Sequence, residues 1–443
     1  MLQRGISSRD VKSLHELIQW IGACWLEHVS RASIVCMLCV ALASARSYAQ
    51  SVDTAAEPGG HPRAELHLGR EGTTDRATSV SDRRLQGTAS LEIGTYVDSD
   101  NVFVMTPSVA GSIANELAGW RVNGRYLVDV VSAASADIVS TASPPFVEVR
   151  HAGTLEATYK PRSFGITGNA AVSFEPDYTS VLGGVALTKD LLDKNLTLTF
   201  GYSHLHDIAG RSGTPFSVFS RVLDRDAFKL GSTIVASRST LVSIVTDFMI
   251  EYGDPSKPYR YVPMFAPGTD VPRGASVDLV TQLRLPARVL EQLPTRRDRV
   301  ALSAGFAHRF RKSTLRMDEL LYADTWDLKG SATDARWLFD LGRRLEIGPH
   351  LRFYGQTSVS FWQRAYTLAG DAFPALRTGN RELGPLLNFT GGGSARAAIG
   401  RQKDPRAWVL GFDANVTSTQ YLDDIYLTNR FSFVGSLSLE AAL

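Results

Sequence analysis

RDRVALSAGFAHRFRKSTLRMDELLYADTWDLKGSATDARWLFDLGRRLEIGPHLRFYGQTSVSFW, residues Arg297–Trp362, alternates apolar and polar side chains in four successive segments joined by short polar turns. In the first, Val300, Leu302, Ala304, Phe306 and Phe310 point one way while Ala301, Ser303, Gly305 and Arg309 point the other. The second sets Leu315, Met317 and Leu321 against Arg316, Asp318, Tyr322 and Asp324, and the third Ala335, Trp337, Phe339 and Leu341 against Asp334, Arg336 and Asp340. The fourth alternates Leu345, Ile347, Leu351, Phe353, Val359 and Phe361 with Glu346, His350, Arg352, Gln356 and Ser360. Side chains alternate across a strand, so each segment has one oily and one charged face. Strands of a soluble sandwich average about 5–6 residues. These segments run to roughly 12–16, as tilted membrane-spanning strands do. The pattern predicts an all-β fold: a transmembrane antiparallel up-and-down β-barrel with a wet, charged lumen.

Working outward, the same alternation predicts strands near 86–98, 101–115, 118–130, 147–160, 163–175, 178–189, 194–207, 226–237 and 239–252. Three more fall near 384–399, 405–418 and 429–443. The tally is about 16, with 14 or 18 within reach of the same reading, and even parity suits a single-chain bacterial barrel. Pro107 is awkward in a sheet unless it sits at a bulge. Glu319 breaks the charge pattern by pointing at lipid, which predicts a local bulge or a different strand pairing. The long connections, 131–146, 208–225, 253–296 and 362–383, all fall in odd positions, and the even positions are short, as at Pro161-Arg162, Arg311-Lys312 and Gln402–Pro405. Long extracellular loops and short periplasmic turns sort in this way when the N-terminus is periplasmic. The loop 253–296 is the candidate plug, its LPARVLEQL stretch predicting a short helix.

Composition neither announces nor forbids a membrane: 443 residues, 44% apolar, formal net charge +2, mean hydropathy near zero. That balance gives no argument for nucleic-acid binding. All three cysteines, Cys24, Cys36 and Cys39, lie near the N-terminus. Residues 1–49 read as a cleaved signal peptide with a long n-region: Arg31 precedes the apolar run IVCMLCVALA, and small-residue patterns follow at Ala43-Ser44-Ala45 and Ser47-Tyr48-Ala49. Residues 50–85, rich in Gly, Pro, Thr, Asp and Arg, read as a disordered periplasmic lead, and 86–443 as the barrel. Export without a helical span points to the bacterial outer membrane.

No catalytic constellation emerges, so an enzyme is not expected. Gly391-Gly392-Gly393 sits in strand context and suits close packing or a bend better than phosphate binding. His204, His206 and Asp207 are the weak metal candidates. The two histidines share a face, which alternation makes the lipid-facing one beside Leu198, Phe200 and Tyr202, so interfacial imidazoles are the plainer account. The expected site is instead a charged lumen wall: Arg121, Arg125, Asp129, Arg316, Asp318, Asp334, Arg336, Asp340 and Arg352, with Glu148, Arg150, Glu156, Asp247, Glu251 and Asp413 on the same side. Such charges either neutralise one another across strands or set selectivity along a polar path. Turns at one end are basic (Lys160, Arg162, Arg238, Arg311, Arg343). Asp98, Asp100, Glu175, Asp177, Asp207, Asp254, Asp324, Asp327, Asp423 and Asp424 gather at the other. An acidic outer rim of this kind holds a divalent cation or repels anions; no other cofactor is expected.

VDVVSAAS at 128–135, SKPYRY at 256–261, LPTRRDR at 293–299, STLR at 313–316, LYADTW at 321–326 and LRFYGQTSVSFWQRAY at 351–366 together carry a likeness. The chain resembles the domain of unknown function 3570 family of Gram-negative outer-membrane proteins from about residue 86 to its end. The resemblance implies an exported outer-membrane β-barrel and brings no activity or site residues. The final strand ends in Leu443 where assembly signals usually carry an aromatic, with Phe431 and Phe433 on the same face. The expected function is a channel or transporter for small solutes. A non-conducting structural barrel, or a membrane partner of periplasmic proteins, is the alternative, and an apolar pocket inside would mark a carrier of hydrophobic ligands. Expected partners are outer-membrane lipid, lipopolysaccharide and the barrel-assembly machinery; the oligomeric state is left open.

Overall fold

Sixteen antiparallel strands pair in sequence order, and the last closes on the first. The computed structural model describes residues 85–133, 146–287, 289–368, 370, 372–399 and 408–443. The expected signal peptide and most of the expected lead, the tip of the 131–146 loop, and the Gln402–Pro405 turn lie outside these residues. The wall begins with β1 (Gln86–Asp98), β2 (Val102–Asn115), β3 (Trp120–Ala133), β4 (Phe146–Tyr159) and β5 (Phe164–Glu175). It continues through β6 (Tyr178–Leu191), β7 (Leu196–Ala209), β8 (Arg221–Ser237) and β9 (Thr240–Gly253). The next connection contains β10 (Tyr261–Val262), β11 (Met264–Phe265), α1 (Val277–Leu283) and β12 (Val289–Leu290). The wall resumes with β13 (Arg296–Arg309), β14 (Ser313–Asp324), β15 (Lys329–Leu341) and β16 (Leu345–Gln356). After β17 (Tyr366–Thr367) it ends with β18 (Leu386–Ile399), β19 (Trp408–Tyr421) and β20 (Asn429–Ala442).

Most wall strands have 14 residues, about 35 Å of height at roughly 3.3 Å rise and 40° tilt. That is enough to cross a hydrocarbon layer with both ends in the interface. Leu91, Ile93, Leu302, Phe306, Leu321 and Leu351 are exposed on the outer face, where lipid rather than water meets them. Among the described residues no helix is long and apolar enough to cross a membrane. Aromatics gather at both ends of the wall: Tyr159, Phe164, Phe310, Trp337 and Trp408 at the short-turn end, Phe174, Tyr252, Phe389 and Phe431 at the long-loop end. These are the two interfacial girdles of a transmembrane barrel.

Three local expectations are corrected. The fourth opening segment stops at Gln356. Val359 and Phe361 instead join a buried cluster with Trp326, Leu328 and Leu383 beyond the strand end. LPARVLEQL forms no helix. Val289–Leu290 pairs with Tyr261–Val262, and the helix lies upstream, where the Ser276 hydroxyl caps Leu279 N–H at 3.2 Å. Pro107 and Glu319 cause no bulge. Pro107 faces Ile93 in register while the ladder to β3 skips it, and Glu319 does point outward, accepting the Thr333 hydroxyl at 2.6 Å. The register shift in β8–β9 lies between Val235 and Ser237.

The triple glycine has a packing cause. A Cβ on Gly392 would collide with Ala414 O and the Asn415 side chain, and one on Gly393 would come within 3.0 Å of Gly348 O. Gly392→Ala should therefore lower the stability of the refolded barrel by about 1–3 kcal/mol, the usual overpacking cost, read as a shifted urea midpoint at unchanged slope.

Candidate functional site: the lumen wall and the loops that cap it

Register decides which lumen candidates meet. Arg316 faces Arg336, Asp318 faces Asp334, and Asp334 faces Arg352 across β14, β15 and β16. Asp334 is buried, at hydrogen-bond distance from His350 Nε2 (2.9 Å) and within ion-pair range of Arg336 Nε (3.6 Å). His350 Nδ1 lies 2.6 Å from Asn415 Oδ1. A second group lies far round the wall, where Asp129 receives Arg150 Nε at 2.7 Å and the Thr106 hydroxyl at 2.5 Å. Arg125 there reaches Glu92 at 3.3 Å and Ser108 at 3.0 Å. Arg121 pairs with Glu116 near a short turn, and Asp340 with Arg309 near another. The nine candidates thus form two opposed clusters and two outliers rather than one site. Ion pairs hold the wall together at Arg150–Asp129, Arg125–Glu92 and Arg309–Asp340, whereas Arg316–Arg336 and Asp318–Asp334 set like charges opposite one another.

The densest inner-wall network sits at the long-loop end. Arg225 joins Asp207 to Glu251, with Arg225 Nε 2.8 Å from Glu251 Oε2. Arg299 reaches the same oxygen at 2.7 Å. Arg297 forks onto Asp324 at 2.9 and 2.5 Å and lies 4.3 Å over the Trp326 ring. Asp207, Arg225, Glu251 and Arg297 are all buried. Carboxylates and guanidiniums this deep persist because each has a partner; losing one would strand another charge. Of these residues only Glu251 stood among the lumen candidates. Arg225 precedes the strand start expected at 226, and Asp207 had been grouped with His204 and His206. Asp207 in fact faces inward while both histidines face outward.

The connection 254–295 folds onto this network. Arg221 anchors its start, with Nε 3.2 Å from Asp254 and Nη1 donating to Ser256 O at 2.6 Å. Tyr259 donates to Asp177 at 2.6 Å. Burial and that bond push its hydroxyl up to about 12. Buried Glu291 accepts the Thr378 hydroxyl at 2.6 Å and Lys257 N–H at 3.1 Å. Between wall and loop lies a cavity of about 100 Å³, lined by six basic side chains (Arg221, Arg225, Lys257, Arg260, Arg297, Arg299) and four acidic ones (Asp207, Glu251, Asp254, Glu291). Burial, aided by Arg260 and Arg225, holds the Lys257 ammonium below the usual lysine range.

The loop also crosses the mouth. β11 pairs in parallel with β17 of the 357–385 connection. Gly274 and Ala275 donate to Asp424 O and Ile425 O at 3.1 and 2.7 Å, five strands further round the wall. Phe265, Val271, Ala275, Val280 and Ile425 form an apolar core between the loops. Several rim acids act as turn caps. Asp98 receives the N–H groups of Asp100 and Val102, Asp324 those of Trp326 and Leu328, and Asp424 those of Tyr426 and Leu427. Asx-type capping accounts for the acid at these three turns. Glu148, Glu175 and Asp177 are the rim carboxylates that bring ligand atoms within 4.8 Å of one another.

Removing the Glu251 carboxylate leaves Arg225 and Arg299 without their shared partner. Glu251→Ala should cost about 3–5 kcal/mol in denaturant melts of the refolded barrel, and Glu251→Gln, which keeps the shape, should recover only part.

No curated protein matches the chain. Among solved structures, Pseudomonas aeruginosa OccK5 (OpdH) aligns at 9% identity and a TM-score of 0.38, over 81% of this chain and 98% of that one. Acinetobacter baumannii OccAB1 aligns at 8% and 0.37, over 82% and 97%. The TodX monoaromatic hydrocarbon channel deltaS2 mutant aligns at 10% and 0.37, over 82% and 90%. The likeness read from the sequence is matched over residues 224–392, from β8 into β18, by the family described as Protein of unknown function (DUF3570).

Proposed function

We propose that this protein is a bacterial outer-membrane channel for small solutes, delivered after signal-peptide cleavage by the barrel-assembly machinery. The observation that carries the reading is the cavity between the inner wall and the 254–295 loop. It lies at the long-loop end of a closed barrel. A barrel of this width is not filled by its wall side chains alone, and the paired charges below the mouth offer a polar path. The excess of basic over acidic residues in the cavity lining favours anions over cations. Arg221, Arg225, Arg260, Arg297 and Arg299 each have a carboxylate partner, which leaves Lys257 as the side chain through which a passing anion gains most.

A second reading is a non-conducting barrel serving as a scaffold. The apolar cores that join the loops across the mouth favour it.

Planar-bilayer recording separates the two. The channel reading expects unitary conductance from the full chain, larger when residues 255–294 are replaced by a short turn, with a reversal potential favouring anions that weakens in Lys257→Gln. Silence from both the full chain and the loop-replaced form would establish the scaffold reading.

A further inference from the structure

The lipid face of β14 carries a charge-bearing group in an otherwise apolar row. Leu315, Met317, Glu319, Leu321 and Ala323 share that face, and Glu319, the seventh of the strand's 12 residues, stands midway between its ends. Glu319 is exposed, and Thr333 on β15 donates its hydroxyl to Oε2 at 2.6 Å. No lysine, arginine or histidine ion pair reaches it among the described residues. Other outward carboxylates are provided for: Asp226 has His204 at 3.0 Å, Asp224 has His206 at 2.6 Å and Asp298 has Arg296 at 3.1 Å.

Lipid cannot complete Glu319. The threonine serves one oxygen; the other faces hydrocarbon, where an unmet polar atom is costly whichever form the carboxyl takes. The wall around it is also built low. Register sets Ala304 of β13 on one side and Thr333 on the other, with Ser331 and Ala335 next along β15 on the same face. Small side chains let two membrane walls approach closely. Lipid tails are as apolar as leucine, so association within a bilayer depends on such packing and on polar contacts rather than on hydrophobic burial.

We propose that the outward face of β13, β14 and β15 around Glu319 is the contact through which two copies of this chain form a two-fold dimer in the membrane, carboxyl to carboxyl. A partner for the second oxygen must carry a polar group at the same depth, which acyl chains lack. A two-fold axis along the membrane normal sets every residue level with its own counterpart, so a second copy brings a carboxyl to that depth by symmetry. Two carboxyls complete each other, sharing one proton or exchanging two. A third would be left over, which favours two copies over three.

The test uses the full chain refolded into lipid vesicles, with Cys24, Cys36 and Cys39 exchanged for serine. Two-colour energy transfer on dilution with lipid should report a reversible dimer, weakened about tenfold or more by Glu319→Ala, the worth of one good polar contact in a membrane. A second measurement leaves Glu319 in place. Leu321→Cys, next outward on β14, should cross-link to its counterpart through a short bismaleimide. Leu91→Cys, equally outward but on β1, six strands round the wall, should give only collisional background. Monomers throughout the dilution, equal association in Glu319→Ala, or equal cross-linking at the two cysteines would overturn the proposal. Because the readout is association, channel activity has no bearing on the result.

Discussion

Backbone amides in hydrocarbon have no water to turn to, so each must find its partner within the wall. Pairing of β1 with β20, from Thr88 opposite Ala442 to Asp98 opposite Ser432, removes the last free edge. The rest of the architecture descends from that closure. A closed ladder forces strict alternation, alternation sorts side chains between lipid and lumen, and the lipid side accepts little besides hydrocarbon. Polar chemistry is thereby confined to the inner wall and the two rims. That is where the arginine–carboxylate networks lie; Glu319 departs from the rule by facing lipid, where it accepts the Thr333 hydroxyl.

Legibility in the sequence follows the same division. Within the membrane each strand repeats a two-residue pattern, so β1, β5 and β20 are bounded from sequence to within a residue or so. The sorting of long and short connections falls out with them. At the long-loop end the pattern dissolves. Strands rise out of lipid there, and both faces turn polar, as in His206-Asp207 and Asp224-Arg225-Asp226. With no apolar stripe to count from, Arg225 falls into an expected loop and Asp207 is grouped with histidines on the opposite face. Val359 and Phe361 mislead in the other direction. Their alternation continues past Gln356 because loop residues also bury an apolar face, against Trp326 and Leu383.

The 254–295 connection shows tertiary context overriding local propensity. Leu285, Val289 and Leu293 have helical spacing, yet Val289 is held in a two-residue strand and packs with Val262, Met264 and Tyr366. The helix forms where Ser276 supplies a cap. Lumen charges were legible as a face but not as partners. Which carboxylate meets which guanidinium depends on the register between strands, and a single chain of letters does not display register.

The tethers among the loops carry a mechanical implication. The 254–295 connection is held at one edge by Arg221 and Tyr259, in its middle by the parallel β11–β17 pair, and at the far side by Ile425. It is a strut spanning the mouth, fixed at both banks, rather than a flap on a single hinge. Widening the aperture by swinging it aside would require the β11–β17 pair and the Ala275–Ile425 bond to part together, a cooperative event whose barrier is shared by three loops.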